Sequence, residues 1–370
     1  MDASFTLLRN AEVYAPEPLG RVDILLGGGH VLAMGPGLEP GLPDVREIDA
    51  SGRLALPGLV DQHVHITGGG GERGFSSRVP ELAAADLLSC GVTTVVGLLG
   101  TDSITRSVQS LVAKTKSLKE EGLTAYCLTG AYDLPSPTVT GSVKDDIAFI
   151  AEVLGVKVAL SDHRCAQPTE EELTRLAAHA RLGGLTAGKP GVVHIHTGAG
   201  KRGLGMVFDI LAHSDLPVLQ FRPTHVENVP EDAVRFARLG GRIDFTADDD
   251  PELTAGQLLR AREAGAPWEQ ITMSSDAGGS IPVWNERREM IGMGVGRPDT
   301  LLKVVRALSQ SHGMPLETAL GLITTAPAEG LGLAGKGRLA PGGDGDVLLT
   351  DRDLRPVQVF AGGRCLWQAE

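Results

Sequence analysis

Aromatic residues make up only 4% of this 370-residue chain, while 49 glycines and 22 prolines point to many tight connections. Cysteine is nearly absent. Cys90, Cys127, Cys165 and Cys365 are scattered, with no Cys-x-x-Cys spacing, and three sit in or beside apolar segments where a small buried thiol is the default. This pattern argues against a disulfide framework or zinc knuckle. The net charge is −12 and no Lys/Arg-rich patch stands out, which argues against a nucleic-acid surface. No apolar run approaches the roughly 18 residues of a membrane span. Met1-Asp2-Ala3-Ser4 is not a basic region leading into an apolar core, so no signal peptide is expected and the cytoplasm is the expected location. No Gly-Lys-Ser/Thr follows the glycine run at 68–71, which argues against a phosphate cradle there.

The length suits a barrel plus a smaller module. Residues 5–55 read as short strands split by turns, as in Val22-Asp23-Ile24-Leu25-Leu26 before Gly27-Gly28-Gly29. The C-terminus has the same texture, in Asp346-Val347-Leu348-Leu349 and Val357-Gln358-Val359-Phe360. Between these ends, helical candidates at 80–89, 103–120, 169–181, 207–213, 231–239, 251–264 and 301–311 alternate with apolar strand candidates, giving about eight βα units. The fold class is therefore α/β. A (β/α)8 barrel is expected over 57–334, with a small β-sandwich domain built from 1–56 and 335–370. The runner-up, a doubly wound open sheet, fits poorly because the candidate ligands are spread over too many units for one crevice.

Those ligands stand at strand ends. His63-Val64-His65 closes an apolar run and leads into Gly68-Gly69-Gly70-Gly71-Glu72, so two imidazoles share one face beside a glycine run that supplies space. Lys157 interrupts Gly155-Val156-Lys157-Val158-Ala159-Leu160, His196 ends Val192-Val193-His194-Ile195-His196, His225 ends Arg222-Pro223-Thr224-His225, and Asp276 ends Ile271-Thr272-Met273-Ser274-Ser275. Barrel strands deliver such residues to one pocket. His194 shares a face with His196; position beside Thr197-Gly198 selects His196. The competing plain roles are a helix N-cap for Asp276, a packed aromatic for Tyr132, and an ion pair with Asp162 or Asp133 for Arg164.

With these residues in place, the chain resembles the amidohydrolase superfamily and, within it, bacterial isoaspartyl (β-aspartyl) dipeptidases, over nearly its whole length. The segments that carry the resemblance are Asp61-Gln62-His63-Val64-His65 with its glycine run and Glu72, Val96-Gly97-Leu98-Leu99-Gly100-Thr101-Asp102, Leu128-Thr129-Gly130-Ala131-Tyr132, Ser161-Asp162-His163-Arg164, Pro223-Thr224-His225-Val226 and Ser274-Ser275-Asp276. The resemblance implies two divalent metal ions, zinc by preference, bridged by an N6-carboxylated Lys157 and a hydroxide. His63, His65 and Asp276 would hold one ion, and His196 and His225 the other. A free ammonium cannot ligate a cation, whereas a carbamate is an anionic oxygen donor. Asp276 would move the proton and Tyr132 would meet the carbonyl oxygen. Glu72 would take the substrate ammonium and Arg164 its carboxylate, with Gly70, Thr101 and Ser280 lining the pocket.

One departure stands out. The family carries an arginine shortly after the histidine of Pro-Thr-His-Val; here His225-Val226-Glu227-Asn228-Val229-Pro230 lacks it, and Arg222 is the candidate replacement. The implied activity is metal-dependent hydrolysis of β-aspartyl dipeptides by a metal-bridging hydroxide. The rivals are a cyclic-amide hydrolase of the dihydroorotase or hydantoinase type, an N-acyl amino acid deacylase, and a non-catalytic barrel. Glu72 discriminates, since a cyclic imide has no ammonium. The expected partners are a small dipeptide and further copies of the chain, with no nucleic acid and no membrane.

Overall fold

The computed structural model describes residues 4–284 and 290–370. Eight parallel strands follow one another in chain order: β1 (Leu59–Val64), β2 (Val92–Gly97), β3 (Thr124–Gly130), β4 (Val153–Leu160), β5 (Val192–Thr197), β6 (Phe221–Thr224), β7 (Ile243–Thr246) and β8 (Ile271–Ser274). The ends of this sheet meet where Val64 bridges Ala277 in parallel and the His65 amide donates to the Ala277 carbonyl at 2.8 Å. The result is a nearly closed (β/α)8 barrel, as the alternation of segments implied. β1, β2, β4 and β5 are buried along their whole length, as strands covered on both faces must be.

Local capping sets where the helices begin. Thr169 accepts from the Glu172 amide and opens the helix Glu170–Ala187, which ends at Gly188 in the left-handed region. The helix expected from 103 starts only at Val108, because Asp102 draws in the amides of Ile104 and Thr105 and Ser107 provides the cap. The helix expected from 80 is reduced to Ala84–Leu88 by a bond from the Ala83 amide to the Asp86 carboxylate. Short helices at Val143–Phe149, Leu316–Gly321 and Thr325–Gly330 were not foreseen. Nor was the antiparallel pair Ser280–Trp284 and Met290–Val295 that follows Asp276.

Both termini share one eight-stranded sheet. Along it run Arg364–Gln368, Pro356–Ala361, Val347–Thr350, Leu54–Pro57, Phe5–Tyr14, Pro18–Gly27 and His30–Gly35, with Val45–Asp49 beside Phe5–Tyr14. The two-residue period of a strand divides its side chains between two cores. Val347, Leu349, Phe360 and Ala55 join a core belonging to this sheet, while Leu348, Val359, Leu54 and Leu56 join the barrel core. Leu348 is fully buried and lies so near Gly91 that a Cβ there would meet it at 2.6 Å. Leu348→Ala is expected to cost about 2–5 kcal/mol of unfolding free energy, read by urea denaturation, because the site cannot collapse around the lost methyls.

Candidate active site

The C-terminal ends of β1, β5, β6 and β8 bring the expected ligands together, whereas Lys157, expected at a strand end, rises from the middle of β4. His63, His225 and Asp276 are buried, and each offers a ligand atom within 4.8 Å of the others'. The His65 Nε2 lies 3.1 Å and the His63 Nε2 3.3 Å from Asp276 Oδ1. The His196 and His225 ring centroids are 4.6 Å apart. Lys157 is fully buried at mid-strand, its Nζ 3.4 Å from His63 Nε2. Two of these residues adopt backbone conformations that non-glycine residues rarely take: His225 has φ 56° and Asp276 φ 50°. Such turns at the strand ends redirect both side chains into the barrel mouth, at a cost of order 1–3 kcal/mol each.

Three imidazoles are held from behind. His194 Nε2 is 2.9 Å from His63 Nδ1, Asp162 Oδ2 is 2.8 Å from His196 Nε2, and Thr246 Oγ1 is 2.7 Å from His225 Nδ1. Each of these nitrogens is thereby engaged, which leaves His63 Nε2 beside Asp276 and His196 Nδ1 paired with Tyr132 Oη. Burial, with Lys157 as a further cause, lowers His63 to about 3. Burial lowers His196 to about 4 and puts His194 and His225 well below the usual range. All four rings are thereby kept neutral at pH 7, the form in which an imidazole can ligate a cation. Burial would raise Asp276, but His63 and His65 hold it well below the ordinary carboxylate range.

The residues present fit divalent cations. Neutral imidazoles and an ionised carboxylate make a nitrogen–oxygen donor set suited to zinc and similar ions. Asp276 Oδ1 is buried with only the His63 and His65 imidazoles close to it and no well-formed hydrogen bond, a position that a cation would satisfy. Lys157 is the exception as an ammonium. Burial lowers it to about 7, and among the described residues no carboxylate lies within salt-bridge distance. Its free amine is therefore available for carboxylation, which would replace an unpaired cation with an oxygen donor.

A cavity above these groups is lined by ten of the twelve residues expected in the site; His63 and Lys157 lie beneath it. Tyr132 Oη is 2.5 Å from His196 Nδ1, and burial pushes its phenol well above the usual value. Glu72 Oε1 accepts from Ser280 Oγ at 2.8 Å and lies 3.5 Å from Arg164 Nη1. Gly70 and Thr101 contribute to the wall. The glycine run does more than leave space. A Cβ on Gly68 or Gly70, both at positive φ, would meet the Val79 or Ser77 carbonyl at 2.0 or 2.3 Å, so the loop is pressed against its own return segment. Arg106 ties this fold together, donating to the Thr67 and Val79 carbonyls and to Asp102.

The structure bears on two open readings of the arginines. Arg164 does form the ion pair with Asp162, through Nε at 2.9 Å and Nη2 at 2.7 Å, while still reaching the cavity. Arg222 does not replace the missing arginine. It is in register with His194, two residues below the strand end, and its Nη2 donates to the Gly330 carbonyl at 2.7 Å. A strand rises about 3.3 Å per residue, which puts Arg222 well beneath the mouth. His194, Thr246 and Asp162 were not anticipated as partners of the expected ligands. For Asp162 a signal existed, two residues before Arg164 on one turn; for the other two the pairing is made across strands.

No protein-family model matches the chain. A β-aspartyl dipeptidase from Fervidobacterium islandicum AW-1, in complex with β-Asp-Leu dipeptide, is 41% identical with a TM-score of 0.91, over 98% of this chain and 97% of that one. A dihydroorotase from Lactobacillus johnsonii is 24% identical over 94% of this chain and 89% of its own length. One from Halalkalibacterium halodurans is 34% identical over only 119 residues, 27% of that enzyme. N-acetylglucosamine-6-phosphate deacetylase from Pasteurella multocida, 15% identical with a TM-score of 0.66, shares the fold over 98% of this chain and 99% of that one.

Lys157 gives a pH signature. In metal-free, uncarboxylated protein its folded pKa of about 7 lies below its unfolded value. The unfolded chain then binds more protons above pH 7, so stability rises with pH there. Melting temperatures of metal-free protein are expected to climb between about pH 7 and 8.5, below the range where thiols titrate. Lys157→Met should raise the melting temperature and flatten that slope. Given this fold, this site and the 41% identity to a β-aspartyl dipeptidase over nearly all of both chains, the protein is a hydrolase of the amidohydrolase superfamily and belongs with the β-aspartyl dipeptidases.

Proposed function

We propose that the protein hydrolyses β-aspartyl dipeptides, with two divalent cations, zinc foremost, held by His63, His65, Lys157 as its carbamate, His196, His225 and Asp276. One observation carries the substrate assignment. A carboxylate and a guanidinium, Glu72 and Arg164, stand 3.5 Å apart on the cavity wall beside Tyr132 and the converging ligands. That is a receptor for a zwitterion. A β-aspartyl dipeptide places a free α-ammonium and carboxylates near its scissile bond, and it can satisfy both charges. The likeness to a β-aspartyl dipeptidase that binds β-Asp-Leu supports the same reading.

When bound, the cations supply a Lewis acid that polarises the scissile carbonyl and acidifies water at neutral pH. The chain's residues do the rest. Glu72 keeps Oε2 for the ammonium, since Ser280 engages Oε1. Arg164 presents Nη1 to a carboxylate, because Nε and Nη2 are committed to Asp162. Tyr132 stays protonated and donates a hydrogen bond to the carbonyl oxygen as negative charge develops there. Asp276, ionised, accepts the proton of the attacking water and returns it to the departing amine. A cyclic amide brings no ammonium to Glu72 Oε2, which disfavours the dihydroorotase-like alternative.

A hydrolysis screen decides between these substrates. β-Asp-Leu is expected to give a kcat/KM at least about tenfold above α-Asp-Leu, dihydroorotate, hydantoin and N-acetyl amino acids; preference for a cyclic amide would reverse the assignment. Glu72→Gln should lower kcat/KM for β-Asp-Leu by about 10–100-fold, the worth of a hydrogen bond to a charged group. Unchanged kinetics would strip Glu72 of its role. Tyr132→Phe should lower kcat by about 10²–10³ with little change in KM, measured on the same substrate.

A further inference from the structure

We infer that Asp162 is a positioning residue that couples the substrate clamp Arg164 to the ligand His196, so that metal binding at His196 and carboxylate binding at Arg164 influence each other. The inference rests on the proposed function for its substrate arm alone. Its metal arm stands apart.

Asp162 has a side chain only 7% exposed, and both oxygens are used. Oδ1 accepts from the Arg164 amide at 2.8 Å and from Arg164 Nε at 2.9 Å. Oδ2 accepts from Arg164 Nη2 at 2.7 Å and lies 2.8 Å from His196 Nε2. The turn that aims this carboxylate is itself over-determined. Ser161 has φ 54°, its Oγ donates to the Gly203 carbonyl at 2.7 Å, and its own carbonyl accepts from the Gly200 amide at 2.6 Å. A Cβ on Gly198 or Gly200 would meet that carbonyl at 2.5 or 2.2 Å. Loop 198–203 thus clamps Ser161 in a conformation that costs free energy, and the consequence is an Asp162 turned back across the barrel mouth.

The chemistry follows from sharing one charge. A carboxylate behind an imidazole fixes its tautomer and raises the donor strength of the opposite nitrogen, here Nδ1, which Tyr132 Oη meets at 2.5 Å on the cavity side. The same carboxylate occupies the side-on fork of Arg164 and so sets which N–H groups remain for a ligand. An anionic group that draws the guanidinium towards itself leaves more of the Asp162 charge on His196. Binding free energies are linked, so a cation held by His196 must favour the anion to the same extent.

The test uses the full chain, stripped of metal and titrated with Zn²⁺ alone against a chromogenic chelator. Asp162→Asn keeps shape and one acceptor. It is expected to weaken one of two equivalents by about 10–100-fold while the other is unchanged and the metal-free melting temperature holds. Wild-type affinity for both equivalents would overturn the inference. Should the Asn variant lose its fold, Arg164→Met serves: Asp162 then serves His196 alone, and the weaker equivalent should tighten several-fold, whereas no change or a loss overturns the inference. The coupling is read in KM for β-Asp-Leu. Asp162→Asn should raise KM in the wild-type background and leave it unchanged in Arg164→Met; additive effects would refute the link. If wild type does not turn over β-Asp-Leu at all, the proposed function fails while the Zn²⁺ titration still decides the metal arm.

Discussion

An amine buried to zero exposure, with no carboxylate at bonding distance among the described residues, is the condition that organises this molecule. Lys157 sits on a strand whose other residues are all buried, mostly apolar, so nothing local can neutralise it. Burial has two consequences. It brings the ammonium within reach of its neutral form at physiological pH, and it makes any modification that removes the positive charge favourable. The surrounding imidazoles respond in the same direction, each kept neutral by burial and by that nearby cation. A low-dielectric barrel end thus prepares lone pairs and an amine for coordination before any ion arrives.

Direction comes from elsewhere. Neutral rings in an apolar pocket could rotate, and the partners on their outer nitrogens prevent it: His194 behind His63, Asp162 behind His196 and Thr246 behind His225. Two expected ligands, His225 and Asp276, hold left-handed backbone conformations, and Ser161 does the same one residue before Asp162. Strain therefore collects where the barrel changes from strand to loop. The regular part of the fold carries it: the β1–β8 seam and a buried Asp244 that accepts from Gln62, Thr224, Thr272 and Ser274 lock the strands beneath.

Much of this was legible in the chain. The two-residue period put His63 and His65 on one face, and a lysine inside an apolar run could only be a buried one. Alternating segments implied the barrel, and strand-like texture at both ends implied a composite terminal β-domain, which the structure builds as one eight-stranded sheet. The resemblance to isoaspartyl dipeptidases supplied Glu72, Arg164 and Tyr132, which periodicity alone would not single out. Helix starts were less legible, because Asp102 and Asp86 capture backbone amides that a pattern-based reading assigns to the helix.

What the sequence determined by itself is thus the kind of side chain at each strand end, since burial and periodicity act locally. Tertiary structure alone decided which partner engages each imidazole, that Asp162 reaches His196 as well as Arg164, and that Arg222 faces Gly330 rather than the cavity. Those outcomes depend on contacts between residues tens to more than a hundred positions apart, such as Arg222 with Gly330 and His63 with His194. Spacing along a chain sets which face a residue occupies, but the height of that residue in the barrel and the partner it meets are fixed only when strands align in register.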